Sequence, residues 1–155
     1  MRQVLRMAFL VPLAVGACVI ATTIIIHALA LNATVRFVRR ERKLGRAGKS
    51  FWGDFPIVVL AISFALGAHL MEMAIWALLF MVCGEFPAFG TAYYHSAVNY
   101  TTLGYGPSDV GMSPAWSLLG PLEAADGMLM FGVSTAMIFT VIQRMLETRY
   151  ADLRS

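Results

Sequence analysis

Three long stretches almost free of fixed charge limit what this chain can fold into. Residues 7–35 contain no Asp, Glu, Lys or Arg, and an apolar helix of about 20 residues already crosses a bilayer core of about 30 Å. Residues 55–84 are interrupted by His69 and one carboxylate, Glu72. Residues 116–142 carry Glu123 and Asp126 near their start. With 59% of its 155 residues hydrophobic and 14% charged, the chain has too little polar surface to enclose these blocks as a water-soluble core. The class expected is an all-α membrane protein with three transmembrane helices.

The first block follows Arg2 and Arg6, and VGAC at residues 15–18 loosely resembles a lipoprotein cleavage site. A signal's apolar region is only about 7 to 15 residues long. This one runs well past Cys18, so it reads as a retained span.

Seven of the twelve Lys and Arg fall between the first two spans: Arg36, Arg39, Arg40, Arg42, Lys43, Arg46 and Lys49. Arg144, Arg149 and Arg154 follow the third span, and none occurs from Ser50 to Gln143. Basic residues near span ends mark the cytoplasmic side. The expected topology is a multi-pass protein of the cell (inner) membrane, with the N-terminus outside and the C-terminus cytoplasmic. The basic segment is a topology signal and, in a second reading, a contact for anionic lipid headgroups. It implies no nucleic-acid partner.

With those sides assigned, residues 85–114 leave from and return to the outer face. They contain a helix-like run, TAYYHSAVNYTT at 91–102, then LGYG, then the turn-rich PSDVGMSP. A short helix ending in glycines is the pattern of a re-entrant loop. Non-helical backbone at membrane depth is tolerated only where protein buries it or water reaches it.

The string TTLGYG at 101–106 resembles the selectivity filter of potassium channels. Together with HLMEMAIWALLF (69–80), AYYHSAVNYTTLGYG (92–106) and WSLLGPLEAADGMLMFGVSTAMIF (116–139), it resembles the pore module of small bacterial channels of the ion channel (two-pore-domain-like) family. The resemblance covers roughly residues 55–144 and leaves out the first span. It implies a pore domain (55–146), which hydropathy and charge set between an N-terminal transmembrane helix (1–35) with a basic cytoplasmic linker (36–54) and a short cytoplasmic tail (147–155). Within the pore domain it implies an outer helix (55–84), a re-entrant pore helix (91–101), a filter (102–106) and an inner helix (114–146), with Ser113 and Pro114 as cap and first turn.

The filter chemistry is that of backbone carbonyls replacing the water shell of a potassium ion. By resemblance, K+ sits at the carbonyls of Thr102, Leu103, Gly104 and Tyr105, with the Thr102 hydroxyl adding the innermost ring and Gly106 closing the strand. Gly104 and Gly106 are required because positive φ lets successive carbonyls face one axis. The same resemblance implies that Leu103 and Tyr105 point away from that axis against Tyr94 and Tyr100, with Thr101 and Asp109 as further support. Many potassium channels carry Asp directly after GYG; here Pro107 and Ser108 intervene before Asp109. One chain supplies one strand, so the implied assembly is a homotetramer. The function expected is passive, potassium-selective conduction, with no enzymatic activity and no cofactor beyond the permeant ion. The alternatives are a weakly selective cation channel and a non-conducting channel-associated subunit.

The ionisable residues inside the spans form a second group. His69 and Glu72 are spaced i, i+3 with Trp76 on the same face, and Glu123 and Asp126 repeat that spacing on the third span. Such groups face the protein interior, either as a gating network behind the filter or as bonds pinning two spans together. A metal site built from His69, Glu72, His95, Glu123 and Asp126 matches no ligand spacing. Glu85 and Asp109 lack basic neighbours and concentrate cations at an outer mouth. The three apolar blocks contain no arginine, so none of them reads as a voltage sensor of the usual kind. Gly127 and Gly132 are the candidate hinges of the inner helix. His27 reads as a packing residue, Cys18 and Cys83 show no pairing pattern, and the ten methionines read as packing filler.

Overall fold

The computed structural model describes residues 2–104 and 111–152. Four helices follow one another: α1 (Arg2–Lys43), α2 (Phe51–Val82), α3 (Phe89–Tyr100) and α4 (Leu119–Asp152). No β-strand occurs among the described residues. Three stretches are long and apolar enough to cross a membrane: Phe9–Lys43, Phe51–Val82 and Leu119–Tyr150. At 12 residues, α3 is only about 18 Å long and cannot.

The helices overrun the apolar blocks. Charge ends an apolar stretch, but Arg, Lys and Glu are good helix formers, so α1 runs on through the basic segment. Its last turn holds Arg40, Arg42 and Lys43, which complement the negative end of the helix dipole. Helix α2 starts at Phe51. The expected linker at 36–54 therefore shrinks to residues 44–50.

The third membrane-length helix starts later than expected, at Leu119 instead of residue 114. Ser113 does not cap it. Its backbone N–H and its hydroxyl both donate to the Glu85 carboxylate, each at 2.6 Å. Residues 114–118 form turns closed by Trp116 N–H to Ser113 O and Leu119 N–H to Trp116 O. Pro121, which has no N–H to give, occupies the first turn of α4, where none is needed.

The chain forms two compact units. One contains α1 up to Ile26, α2 from His69, all of α3, and α4 up to Met130. Its core is Met73, Trp76, Ala77, Phe80, Phe86, Ala92, Tyr100, Leu119 and Met130, with Val19 and Ile20 of α1 packed against it. The first helix is thus part of this unit's core, although the family resemblance gave it no role. Gly16 allows that approach, since a Cβ there would lie 2.7 Å from a Leu122 methyl.

The other unit contains the remaining parts of α1, α2 and α4, around Val38, Ala47, Ile57, Val141 and Met145. His27 is buried here and shares a 3.0 Å hydrogen bond with Ser134. The exposed Phe51, Trp52 and Phe55 form an aromatic cluster beside the basic loop, as residues at a membrane–water interface do. Asp54 ties three segments together: Oδ1 accepts the Gly48 N–H at 2.6 Å, and Oδ2 accepts from Arg149 at 2.5 Å. Asp54→Asn keeps an acceptor for Gly48 but loses the charge facing Arg149, whose side chain is 27% exposed and so partly compensated by water. The expected loss is about 1–2 kcal/mol, read as a lowered unfolding temperature in detergent. An unchanged transition would show that the pair contributes nothing.

Candidate functional site

The strand that should hold an ion begins at the end of α3, and it begins under strain. Helices α1, α2 and α3 all finish in the same hydrogen-bonded cap. In each, the second residue past the last helical turn bonds back five residues, while the residue before it adopts left-handed geometry. For α1 these bonds are Arg46 N–H to Glu41 O and Gly45 N–H to Arg42 O; for α2 they are Glu85 N–H to Phe80 O and Gly84 N–H to Met81 O. The left-handed residues are Gly45 (φ +66°) and Gly84 (φ +75°). In α3 the bonds are Leu103 N–H to Val98 O at 3.0 Å and Thr102 N–H to Asn99 O at 2.8 Å. Here the left-handed position is held by Thr102, at φ +59°.

Thr102 is the only non-glycine residue with positive φ among the described residues. A β-branched side chain in that region is an outlier costing about 1–2 kcal/mol. Two residues on, Gly104 returns to positive φ at +70°. Positions 102 and 104 of TTLGYG therefore share left-handed geometry, and the Thr102 hydroxyl makes no hydrogen bond within the described chain. Gly104 meets the expectation of positive φ; Thr102 was not expected to share it. Tyr105, Gly106, Pro107 and Asp109 lie outside the described residues.

Behind this strand, α3 is fixed to α2 and α4 by polar side chains. The Tyr100 hydroxyl donates to Glu72, and His69 Nδ1 lies 3.0 Å from that hydroxyl and 3.4 Å from Glu72 Oε2. The Ser96 hydroxyl bridges Met73 O at 2.8 Å and Glu123 Oε1 at 2.5 Å. Asp126 Oδ2 accepts from Trp76 Nε1 at 3.0 Å and from the Thr23 hydroxyl at 2.9 Å. Glu72, Glu123 and Asp126 are all at most 1% exposed. No Lys or Arg occurs in the sequence anywhere between Ser50 and Gln143. Buried acids in that setting depend on hydrogen-bond donors, and Tyr100, Ser96, Trp76 and Thr23 supply them.

The structure thus gathers His69, Glu72, Glu123 and Asp126 into one unit, together with the end of α3. It does not gather the five residues of the metal alternative: among the described residues, no three of them bring ligand atoms within reach of a common ion. His95 instead packs against Phe86 and Phe80, with ring centroids 4.7 and 5.5 Å away. Burial holds its imidazole below the ordinary range, partly offset by the Glu85 carboxylate.

Of the two tyrosines expected behind the filter, Tyr100 is buried and anchored to α2, whereas Tyr94 is 57% exposed. Leu103 is also exposed, so within one chain it does not pack against them. The Thr101 hydroxyl turns back onto Ala97 O at 2.7 Å.

Gly127 has a use that a hinge does not explain. A Cβ there would lie 2.1 Å from the Tyr100 carbonyl oxygen, so α4 presses directly on the end of α3. Gly132 has open space around it. A cleft of about 380 Å³ opens beside the strand, lined by His95, Asn99, Thr102, Gly104, Ser117 and Gly120 among others.

Three residues that matter here, Thr23, Ser96 and Asn99, were not anticipated. Their signal was present, since Ser96 lies one helical turn before Tyr100 on the same face of α3, and Thr23 is a hydroxyl in an otherwise apolar span. Searched against family models, curated proteins and solved structures, the chain matches none.

Proposed function

We propose that this chain is one quarter of a potassium-selective channel, conducting passively through a pore on a fourfold axis. The observation that carries the reading is the recurrence of left-handed geometry at Thr102 and Gly104, on a strand leaving the end of a helix too short to span. Handedness that alternates along a strand turns successive carbonyls to one side, as a row of ion-coordinating oxygens requires. Strain retained at one residue while two sister helix ends use glycine is the kind of cost found at functional sites. The C-terminal end of α3 adds a partial negative charge that favours a cation nearby. Helix α3 then acts as the re-entrant pore helix, α2 and α4 as outer and inner helices. The exposed Tyr94 and Leu103 are residues that neighbouring copies would cover.

Purified protein in liposomes provides the test. A current reversing close to the potassium equilibrium potential under opposed potassium and sodium gradients is the expected result. Reversal midway between the two ions' potentials would replace the reading with a weakly selective cation pore. Silence from intact tetramers would replace it with a non-conducting subunit.

A further inference from the structure

In the unit built from the remaining parts of α1, α2 and α4, a cleft of about 330 Å³ lined by α1 and α4 combines apolar side chains with cationic ones. Four of its lining residues are apolar: Val35, Val38, Met137 and Val141. Three more carry guanidinium groups, Arg39 and Arg42 from α1 and Arg144 from α4. Thr140 completes the lining, its hydroxyl donated to Ala136 O. No lining residue is acidic. All three arginines are exposed and form no ion pair among the described residues, whereas Arg46 and Arg149 have carboxylate partners in Glu41 and Asp54. Arg39 and Arg42 are spaced i, i+3 and so project from one face of α1.

We infer that this cleft is a specific site for an anionic phospholipid, its phosphate held by Arg39, Arg42 and Arg144 and the start of its acyl chains laid along Val35, Val38, Met137 and Val141. Three cations with no ion pair among the described residues call for an anion with several acceptor oxygens, and guanidinium forks match phosphate in geometry. The apolar lining residues call for an alkyl chain on the same molecule. The cleft's volume falls at the lower end of the range for small-molecule sites, about 300–1,000 Å³. The helices on either side are the first and third membrane-length segments, so the site opens where lipid is available. Because α1 continues as a helix to Lys43, two of its arginines are held in fixed register and act together with Arg144.

The site is tested on the full chain in neutral detergent, by counting phosphatidylglycerol and phosphatidylcholine molecules retained per chain in native mass spectra. One phosphatidylglycerol per chain, and no comparable phosphatidylcholine, is expected. R39Q/R42Q should weaken that retention by about tenfold or more. R36Q/R40Q, which removes the same charge from the same helix without touching the cleft, should leave it unchanged. Equal losses from both pairs would mean diffuse surface attraction and overturn the site. Glycerol phosphate without acyl chains should not compete, and competition at lipid-like concentrations would also overturn it. Lipid-free unfolding temperatures of the two variants should coincide, which separates lost binding from lost folding. None of these readouts involves conduction, so the channel reading and this site can fail separately.

Discussion

Replacing Gly127 by alanine is expected to destabilise the protein by about 3 kcal/mol, at the upper end for adding one methyl to a packed interior. The added carbon would sit 2.1 Å from the Tyr100 carbonyl oxygen and 2.9 Å from its carbonyl carbon. Those are backbone atoms at the end of α3, where Thr101, Thr102 and Leu103 already bond back to Ala97, Asn99 and Val98. The Tyr100 side chain is held by Glu72 on α2. Nothing in that contact can swing aside as a flexible side chain would. Either α4 moves outward, opening the core around Leu119 and Met130, or the end of α3 shifts and carries the strand after it. Gly132→Ala is the matched control: it has open space around it, so only the loss of glycine's unfolded-state freedom acts and stability should rise by about 0.5–1 kcal/mol. Unfolding temperatures of the two variants check the contrast. Equal and small effects would show that α4 does not press on α3. If the proposed channel conducts and Gly132→Ala alters its opening while the fold is kept, the hinge role belongs to Gly132 alone.

What could be read from the residues, and what could not, follows from the kind of physics involved. The three membrane-length helices were legible because hydrophobicity is a sum over many residues, and no local exception in 155 positions undoes it. Their ends were not, since an apolar block stops at the first charge while a helix does not. Arg36 through Lys43 continue α1, and Ser113 serves Glu85 instead of opening α4. The pairing of His69 with Glu72 was visible as an i, i+3 spacing. The link of Asp126 to Thr23 was invisible, because it joins residues 103 positions apart and depends on how α1 packs. Glycine gave a mixed signal for the same reason. A positive φ at Gly104 is a local demand that the loop pattern suggests, whereas the demand at Gly127 is a close approach that exists only once α3 and α4 meet. The least legible feature was Thr102. Nothing about a threonine announces left-handed backbone, and a rule that assigns such positions to glycine excludes it.

That threonine provides the sharpest separation between an ordinary helix end and an ion-binding strand. Thr102→Gly removes a side chain from a position where side chains are disfavoured by about 1–2 kcal/mol, against roughly 0.5–1 kcal/mol of extra unfolded-state freedom. The cap hydrogen bonds of α3 involve only backbone atoms and persist. Stability should therefore hold or rise by up to about 1.5 kcal/mol, since the hydroxyl has no hydrogen bond within the described chain to lose. If the strand lines a pore, four hydroxyls leave one ring of potassium ligands, and the preference for potassium over sodium should fall by about tenfold, roughly 1.4 kcal/mol of discrimination. Thr102→Ser keeps the hydroxyl and should retain most of the selectivity while keeping the backbone strain. Liposome reversal potentials and unfolding temperatures, measured on both variants, give two independent axes. A glycine variant that is more stable and less selective matches a strained ion-binding strand. One that is more stable with conduction unaltered would mean that Thr102 only ends a helix, and the proposed ion site would have to be abandoned.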